Sequence, residues 1–311
     1  VSVPRTTPDV LAAVLREVSF TSAAYRWIEM GAPFRLVFDR PGLRGVHLIA
    51  SGECDLVLAG REVTPLAAGD TVILPRGDDH ELRHGHAANP TSGFELAGRT
   101  PGAHLRGGGP GPVAATIVCG AFIAGDPGHP ALGGLPRLIV VPGEDGRPPA
   151  WLAPYVEVLR QEAFDAGPGS DVVMARLSDA LIARALRATA TDHPGWLAGL
   201  RDPHLAAALG ALHADPAGPW TLRTLAAAAG LSRTAFTARF AATVGEPPMG
   251  YLRSLRLHRA RRLLRDERLT VAVVAARVGY GSEVAFAAAF RRAAGMPPGE
   301  WRRQHPEGPG V

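Results

Sequence analysis

Two histidines carry the most specific chemistry in the first half of the chain. The run Gly69-Asp-Thr-Val-Ile-Leu-Pro75-Arg-Gly77-Asp-Asp-His80 reads as a strand, then a tight turn that ends on His80. His47 lies in another apolar run, Val46–Ala50. Two imidazoles brought together there can bind a metal, hydrogen-bond a polar or anionic ligand, or change charge near neutral pH. They can equally be hydrogen-bonded inside the fold with no ligand at all. A catalytic metal needs three or four N/O ligands around an open position. His47 and His80, with Glu53, His84 and Cys119 as additions, do not make a complete set by spacing.

The two cysteines, Cys54 and Cys119, allow a redox sensor. Each falls in an apolar stretch, which favours a small inert hydrophobe. No Ser/His/Asp spacing, phosphate loop or paired carboxylate motif stands out. Asp78-Asp79 reads as a turn and Gly107-Gly-Gly-Pro110 as flexible loop.

The second kind of chemistry is electrostatic. The chain has no lysine; all 33 of its Lys/Arg positions are arginine. Between Gly218 and His305 there are 15 arginines against 5 acids, a net of +10. The rest carries 18 against 24, a net of −6. A basic C-terminal third on an acidic body suggests a polyanion-binding module.

These groups need elements to hold them. With 311 residues, 46% hydrophobic and 20% charged, the chain has globular composition and length for two domains. Asp9–Val18 reads as a short helix, with Val10, Val14 and Val18 four apart. Short β-rich runs follow: Phe34–Phe38, Val46–Ala50, Cys54–Leu58, Thr71–Leu74 and Ala115–Cys119, a spacing that suggests a sandwich or barrel. Gly85–Pro112 reads as a long loop and Pro142–Pro149 as turns. Trp151–Phe164 reads as a helix. Another follows Ser170 or Asp171, with Val173, Leu177 and Leu181 on a stripe beside Ile182 and Leu186. That stripe would cover the barrel or form a dimer face. Asp192-His-Pro-Gly195 should break the helix, and the remainder reads as helical to Arg303.

The C-terminal third contains an internal repeat. Ser232, Phe236, Phe240, Gly245, Pro248 and Tyr251 recur fifty residues later as Ser282, Phe286, Phe290, Gly295, Pro298 and Trp301. Each copy has an Ala/Val-rich helix (Leu222–Ala229, Val271–Arg277), a glycine (Gly230, Gly279), a serine cap and a helix with two phenylalanines. Two helices around a glycine turn make a helix-turn-helix unit, whose second helix can enter the DNA major groove. A helical hairpin used for protein contacts would not need the arginines that join the copies: Arg253, Arg256, Arg259, Arg261, Arg262 and Arg265. Base reading is expected from Ser232, Arg233, Thr234, Thr237 and Arg239. In the second unit it is expected from Ser282 and Glu283, with Ala287 and Ala288 against thymine methyls. Arg291 and Arg292 are placed at phosphates. The four phenylalanines are core.

Trp220-Thr-Leu222, Gly245-Glu-Pro-Pro-Met-Gly-Tyr-Leu252, Arg256-Leu-His-Arg-Ala-Arg-Arg-Leu-Leu264, Gly279-Tyr-Gly-Ser-Glu283 and Phe290-Arg-Arg292 resemble the AraC/XylS DNA-binding domain over about Arg201 to Arg303. The resemblance implies two helix-turn-helix units joined by a long helix, and a transcription regulator. Where that family often carries a long polar side chain two residues before the second phenylalanine, this chain has Ala238 and Ala288. The Gly69–His80 run resembles the second motif of cupins, with His84 where Asn is frequent. Arg44-Gly-Val-His47 and Gly52-Glu53 stand where the first motif would be, with Gly45 in place of its first histidine. More specifically, residues 30–125 look like the cupin sensor found ahead of AraC-type DNA-binding domains.

The expected fold is α+β in two domains: a cupin-like β-barrel sensor over 1–148, a helical linker with a candidate dimer face over 149–199, and an all-α DNA-binding domain over 200–306. The expected function is a sequence-specific DNA-binding regulator, not an enzyme. Its barrel would sense a small molecule, metal or redox state at His47, His80 and Cys119. The alternative is a cupin metalloenzyme with a helical appendage. No cofactor is expected, a divalent metal in the cupin domain aside. Expected partners are double-stranded DNA, a small-molecule effector, a second copy in a homodimer and, for an activator, RNA polymerase. The longest apolar run, Val113–Gly125, is too short for a bilayer, and Val1–Arg5 begins no secretory signal pattern, so a cytoplasmic protein with no membrane partner is expected.

Overall fold

The structure is a computed structural model. It describes residues 9–18, 20–40, 42–58, 62–86, 89–99, 104–124, 129–165, 167–188, 195–265 and 269–305. They fall into two compact units. One holds the described residues of Leu15–Pro127 and Leu135–Thr189; the other holds those of Val1–Val14, Gly128–Gly134 and Ala190–Val311.

The chain first runs through α1 (Val10–Val18), β1 (Phe20–Gly31), β2 (Phe34–Phe38), β3 (Arg44–Leu58), β4 (Glu62–Ala67), β5 (Thr71–Leu74) and β6 (His80–His84). It continues through β7 (Thr91–Ser92), α2 (Gly93–Arg99), β8 (His104–Gly108), β9 (Val113–Ala124), α3 (Pro130–Gly133), β10 (Ile139–Val141), α4 (Ala153–Asp165) and α5 (Ser170–Ala188). The strand order β7-β2-β6-β3-β9-β1-β8 wraps a barrel, with β4 and β5 also on β3 and β10 on β5. Inward residues alternate, as in Phe34, Leu36 and Phe38 of β2. They meet Ile28, Met30, Ile49, Leu56, Val72, Leu82 and Ile117 in one core.

The runs Val46–Ala50 and Cys54–Leu58 are one strand rather than two. The first half of β3 pairs with β5 and β9, and the second half with β4 and β6. The switch falls at a register shift between Ile49 and Ser51, next to Gly52. Gly52 has φ +76°, and a Cβ there would stand 1.9 Å from the Ala114 carbonyl oxygen, so only glycine fits the bend.

The described residues of the expected loop Gly85–Pro112 are not all loop. It contains β7, α2 and β8. Strand β8 exists through a distant partner: Trp27–Gly31 of β1 pairs in parallel with His104–Gly108. Its own sequence has little alternation, and Leu105 is its one deeply buried hydrophobe.

Helices α4 and α5, in the segment read as a linker, pack on β1. The buried face of α5 is Met174, Ala175, Ser178, Leu181, Ile182, Ala185 and Leu186, whereas Val173 is exposed. The apolar stripe read through Val173 is therefore turned by one residue. Ser178 causes the shift: it is polar yet fully buried, donating to the Met174 carbonyl at 2.8 Å and accepting from the Tyr25 hydroxyl at 2.7 Å. Burial pushes the Tyr25 hydroxyl pKa up to about 12, which keeps it a donor.

The second unit contains α6 (Trp196–Arg201), α7 (Leu205–Ala214), α8 (Leu222–Ala228), α9 (Arg233–Val244), α10 (Pro248–Arg265), α11 (Val271–Arg277), α12 (Glu283–Ala294) and α13 (Pro298–Gln304). Residues 192–194 of the expected helix break lie outside the described residues. Helix α3 joins this unit: the Trp196 indole donates to the Ala131 carbonyl at 3.0 Å, and His129 packs on His258.

The repeat is as regular in space as in sequence. Thr221 and Thr270 cap α8 and α11; Ser232 and Ser282 cap α9 and α12 through the backbone N–H groups of Ala235 and Ala285. Gly230 and Gly279 turn the chain between helices at φ +65° and +83°. Phe236–Phe240 and Phe286–Phe290 have the same ring separation, 5.6 Å, and the same angle, 57°. Tyr251 and Trp301 stand edge-on to the second phenylalanine of each pair. Helix α10 thus serves both units, with Tyr251 in the first and Leu257, Ala260 and Leu264 in the second.

Candidate nucleic-acid interface and barrel pocket

The serine caps start α9 and α12 in the open, because the residues that follow them are exposed while the phenylalanines one turn on are buried. In the first unit Ser232, Arg233, Thr234 and Ala238 are exposed. Thr237 is half-buried, and its hydroxyl donates to the Arg233 carbonyl at 2.9 Å. That commits its hydrogen and leaves the oxygen able to accept. Arg239 points to the protein: its Nε donates to Asp202 at 2.6 Å. Asp202 also accepts from the backbone N–H groups of His204 and Leu205 at the start of α7. The arginine with its backbone bonds holds the Asp202 carboxyl below the usual carboxylate range, against the upward effect of its desolvation.

In the second unit Ser282, Glu283, Ala288, Arg291 and Arg292 are exposed and Ala287 is half-buried. Sequence reasoning missed Val284, which is 80% exposed, the most exposed large hydrophobe among the described residues. The signal that finds it is the repeat itself, which carries Thr234 onto Val284.

Not every arginine of the basic third faces solvent. Arg256 donates to the carbonyls of Pro216 and Gly218, both at 2.7 Å. Arg302 donates to those of Leu264 and Leu269, closing the end of α10. Arg253, Arg259, Arg262 and Arg265 of α10 are exposed.

In the barrel, β3 and β6 bring His47 and His80 together. Their Nε2 atoms lie 2.7 Å apart, and both side chains are buried. Phe38 stacks on His80 and tilts over His47. Arg40 covers the Phe94 ring beyond it at 4.8 Å. The protons can be placed. His80 Nδ1 is 2.9 Å from the Asp78 carbonyl, which only accepts, so Nδ1 carries the hydrogen. A neutral His80 then offers a bare Nε2, and His47 Nε2–H donates to it. His47 Nδ1 is left as a buried acceptor without a partner among the described residues. Burial holds both imidazoles below their ordinary pKa, His47 further than His80, so the pair is neutral at neutral pH.

The pair closes a cavity of about 10 Å³ lined by Arg40, Arg44, Gly45, Asp78 and Phe94. A Cβ on Gly45 would stand 3.0 Å from His47 Nε2 and 3.2 Å from the His80 ring. A cupin metal does not fit these residues. The two Nε2 atoms share one hydrogen bond, Gly45 supplies no donor, and no group of three or more His, Cys, Asp or Glu is arranged to hold a metal among the described residues. Glu53 is exposed, and His84 stacks on Phe34 instead. Cys119 pairs in register with His47 across β3 and β9. Burial raises its thiol pKa far above the ordinary value and that of Cys54 to about 12, so both are held as thiols. A second, more open cleft of about 270 Å³, lined by Arg35, Val57, Asp79 and Glu81, shares Phe38 and His80 with the inner cavity.

Two family models match successive parts of the chain. A cupin family model matches residues 9–191, and a helix-turn-helix domain model matches residues 225–304. A protein of Streptomyces lividans named as an AraC-like transcription regulator is 35% identical over 97% of this chain and 98% of its own. The transcriptional regulator AlkR of Acinetobacter baylyi is 28% identical over 95% and 99%. The DNA-binding domain of AdpA, solved with a target DNA, is 35% identical over 33% of this chain and 93% of its own, with a TM-score of 0.31. Among the described residues no helix is long and apolar enough to cross a membrane.

Proposed function

The chain belongs to the AraC-like family of transcription regulators, and from that premise we propose that its two helix-turn-helix units read a two-part operator under control of the barrel. It is a DNA-binding regulator, not an enzyme. The finer reading assigns α9 and α12 to successive major grooves. Ser232, Arg233, Thr234 and Thr237 face bases in the first, Ser282, Glu283 and Ala287 lie in the second, and Arg291 and Arg292 meet phosphates. Arg239 positions the turn before α7 through Asp202 rather than reading a base.

The sensing site is the His47–His80 pair, which is buried, neutral and short of one hydrogen-bond donor at His47 Nδ1. A cavity of about 10 Å³ holds no more than a water-sized group. A small polar effector therefore docks first in the adjoining cleft, against Phe38 and His80, and its entry displaces Phe38. The effector acts only as far as it favours one state of the protein over the other, typically by ~1–3 kcal/mol. A homodimer and, for an activator, contact with RNA polymerase complete the proposal.

The observation that carries this reading is the spatial repeat of the two capped helices within a region of net +10. Genome-wide mapping of DNA bound by the full chain tests it. Discrete sites sharing one two-part motif are expected. Uniform coverage with no motif would contradict it.

A further inference from the structure

We infer that Val284 is a specificity-determining residue that reads the C5-methyl group of a thymine in the half-site facing α12. The inference rests on the placement of α12 in the major groove proposed above.

Val284 sits at the second position of α12, directly after Glu283, and is 80% exposed. A β-branched residue there gains no helix propensity over alanine, and its side chain is open to solvent. Its neighbours on the open face, Ala285 and Ala288, are also aliphatic. Around this strip stand the polar groups of a DNA-facing surface: Ser282 at the cap, and Arg291 and Arg292 two turns on. An apolar spot with Glu283 on one side and Arg291 and Arg292 two turns on suits a partner that is anionic along its edge and apolar at one point within. Duplex DNA fits, because the thymine methyl is the apolar feature of the major groove.

The repeat sharpens the contrast. Ser232, Arg233, Thr234, Thr237 and Ala238 correspond to Ser282, Glu283, Val284, Ala287 and Ala288. The first unit presents a cation and two hydroxyls to the groove. The second presents an acid and methyl groups. The first half-site is therefore read by hydrogen bonds and the second by methyl contacts, with Glu283 disfavouring acceptor-rich guanine edges. Val284 is the one aliphatic side chain on that strip longer than a methyl.

The test uses the full chain and the operator recovered by random-site selection. Each thymine is replaced in turn by deoxyuridine, which removes only the methyl group. For the wild type, one replacement in the α12 half-site should weaken binding about fourfold, the equivalent of one buried methyl. With Val284→Ala, which touches no core contact, the unmodified operator should bind correspondingly more weakly, and that replacement should have no further effect. Changing the same T·A pair to 5-methylcytosine·G should be tolerated better than changing it to C·G. If every deoxyuridine replacement affects wild type and Val284→Ala equally while binding persists, the inference is wrong and the two-helix reading stands. If Val284→Ala lowers promoter output without changing binding, Val284 meets a protein and the inference is likewise overturned. If the wild type selects no operator, the two-helix reading itself fails and this inference falls with it.

Discussion

His47 donates from Nε2 to the bare Nε2 of His80 across 2.7 Å, and the direction is set from outside the pair by the Asp78 carbonyl. One backbone oxygen thus decides the tautomer of two rings and leaves an unpaired acceptor on His47. An effector that donates to that acceptor holds the arrangement, whereas one that draws His80 Nδ1 from Asp78 lets the two rings exchange donor and acceptor roles. The pair joins β3 to β6, so a change there acts on both strands.

The double variant His47→Ala/His80→Ala should keep DNA binding and lose the effector response. A reporter strain with matched protein levels measures this. A normal inducible response would place the sensing site elsewhere, with Cys54 and Cys119 next to be replaced.

The same pair predicts a pH dependence. Burial lowers both folded pKa values below the ordinary 6.5. The unfolded chain therefore binds protons first as pH falls. The stability contribution is full above about pH 6.5 and is lost below it, down to the folded pKa values. The slope is up to about 1.4 kcal/mol per pH unit for each histidine. Thermal unfolding from pH 7.5 to 5.5 should show a steeper loss in wild type than in His47→Gln/His80→Gln. Equal slopes would contradict burial of neutral imidazoles.

Gly45 is the steric guard of that pocket. Gly45→Ser puts a side chain about 3 Å from the two rings, so one must shift. Constitutive or absent response with DNA binding intact is the expected reporter result. An unaltered response would mean the rings' geometry is not sensed.

Base readers and phosphate anchors should separate by substitution. Thr237→Ala should relax preference at one operator position at a cost of about 1 kcal/mol. Arg291→Ala should weaken all sequences alike and lower the salt slope by about 1. Arg239→Ala should leave the preferred sequence unchanged and cost about 0.5–1 kcal/mol of stability through its partly exposed bond to Asp202. A changed preferred sequence for Arg239→Ala would show that the arginine leaves Asp202 on DNA.

Local chemistry was legible where it is local. The serine caps, the glycine turns and the buried phenylalanine pairs of both repeats follow from spacing alone, as does the turn ending on His80. What escaped depends on partners distant in sequence. Strand β8 exists because β1 lies beside it, and the face of α5 is set by Ser178 meeting Tyr25, a polar pair that a hydrophobic stripe cannot reveal. The bond between Arg239 and Asp202 joins residues 37 apart in sequence, which spacing could not show. Val284 was legible in the repeat, but its residue type gave no hint of a polar contact.

The capped helices and their exposed arginines form the surface proposed to meet DNA. The most direct measurement is the affinity of the full chain for its selected operator between 50 and 200 mM salt. Exposed arginines meeting six or more phosphates should make log affinity fall linearly with log salt, losing about a thousandfold across that range. Binding that is independent of salt, or none to any duplex, would contradict a DNA-binding role for these helices.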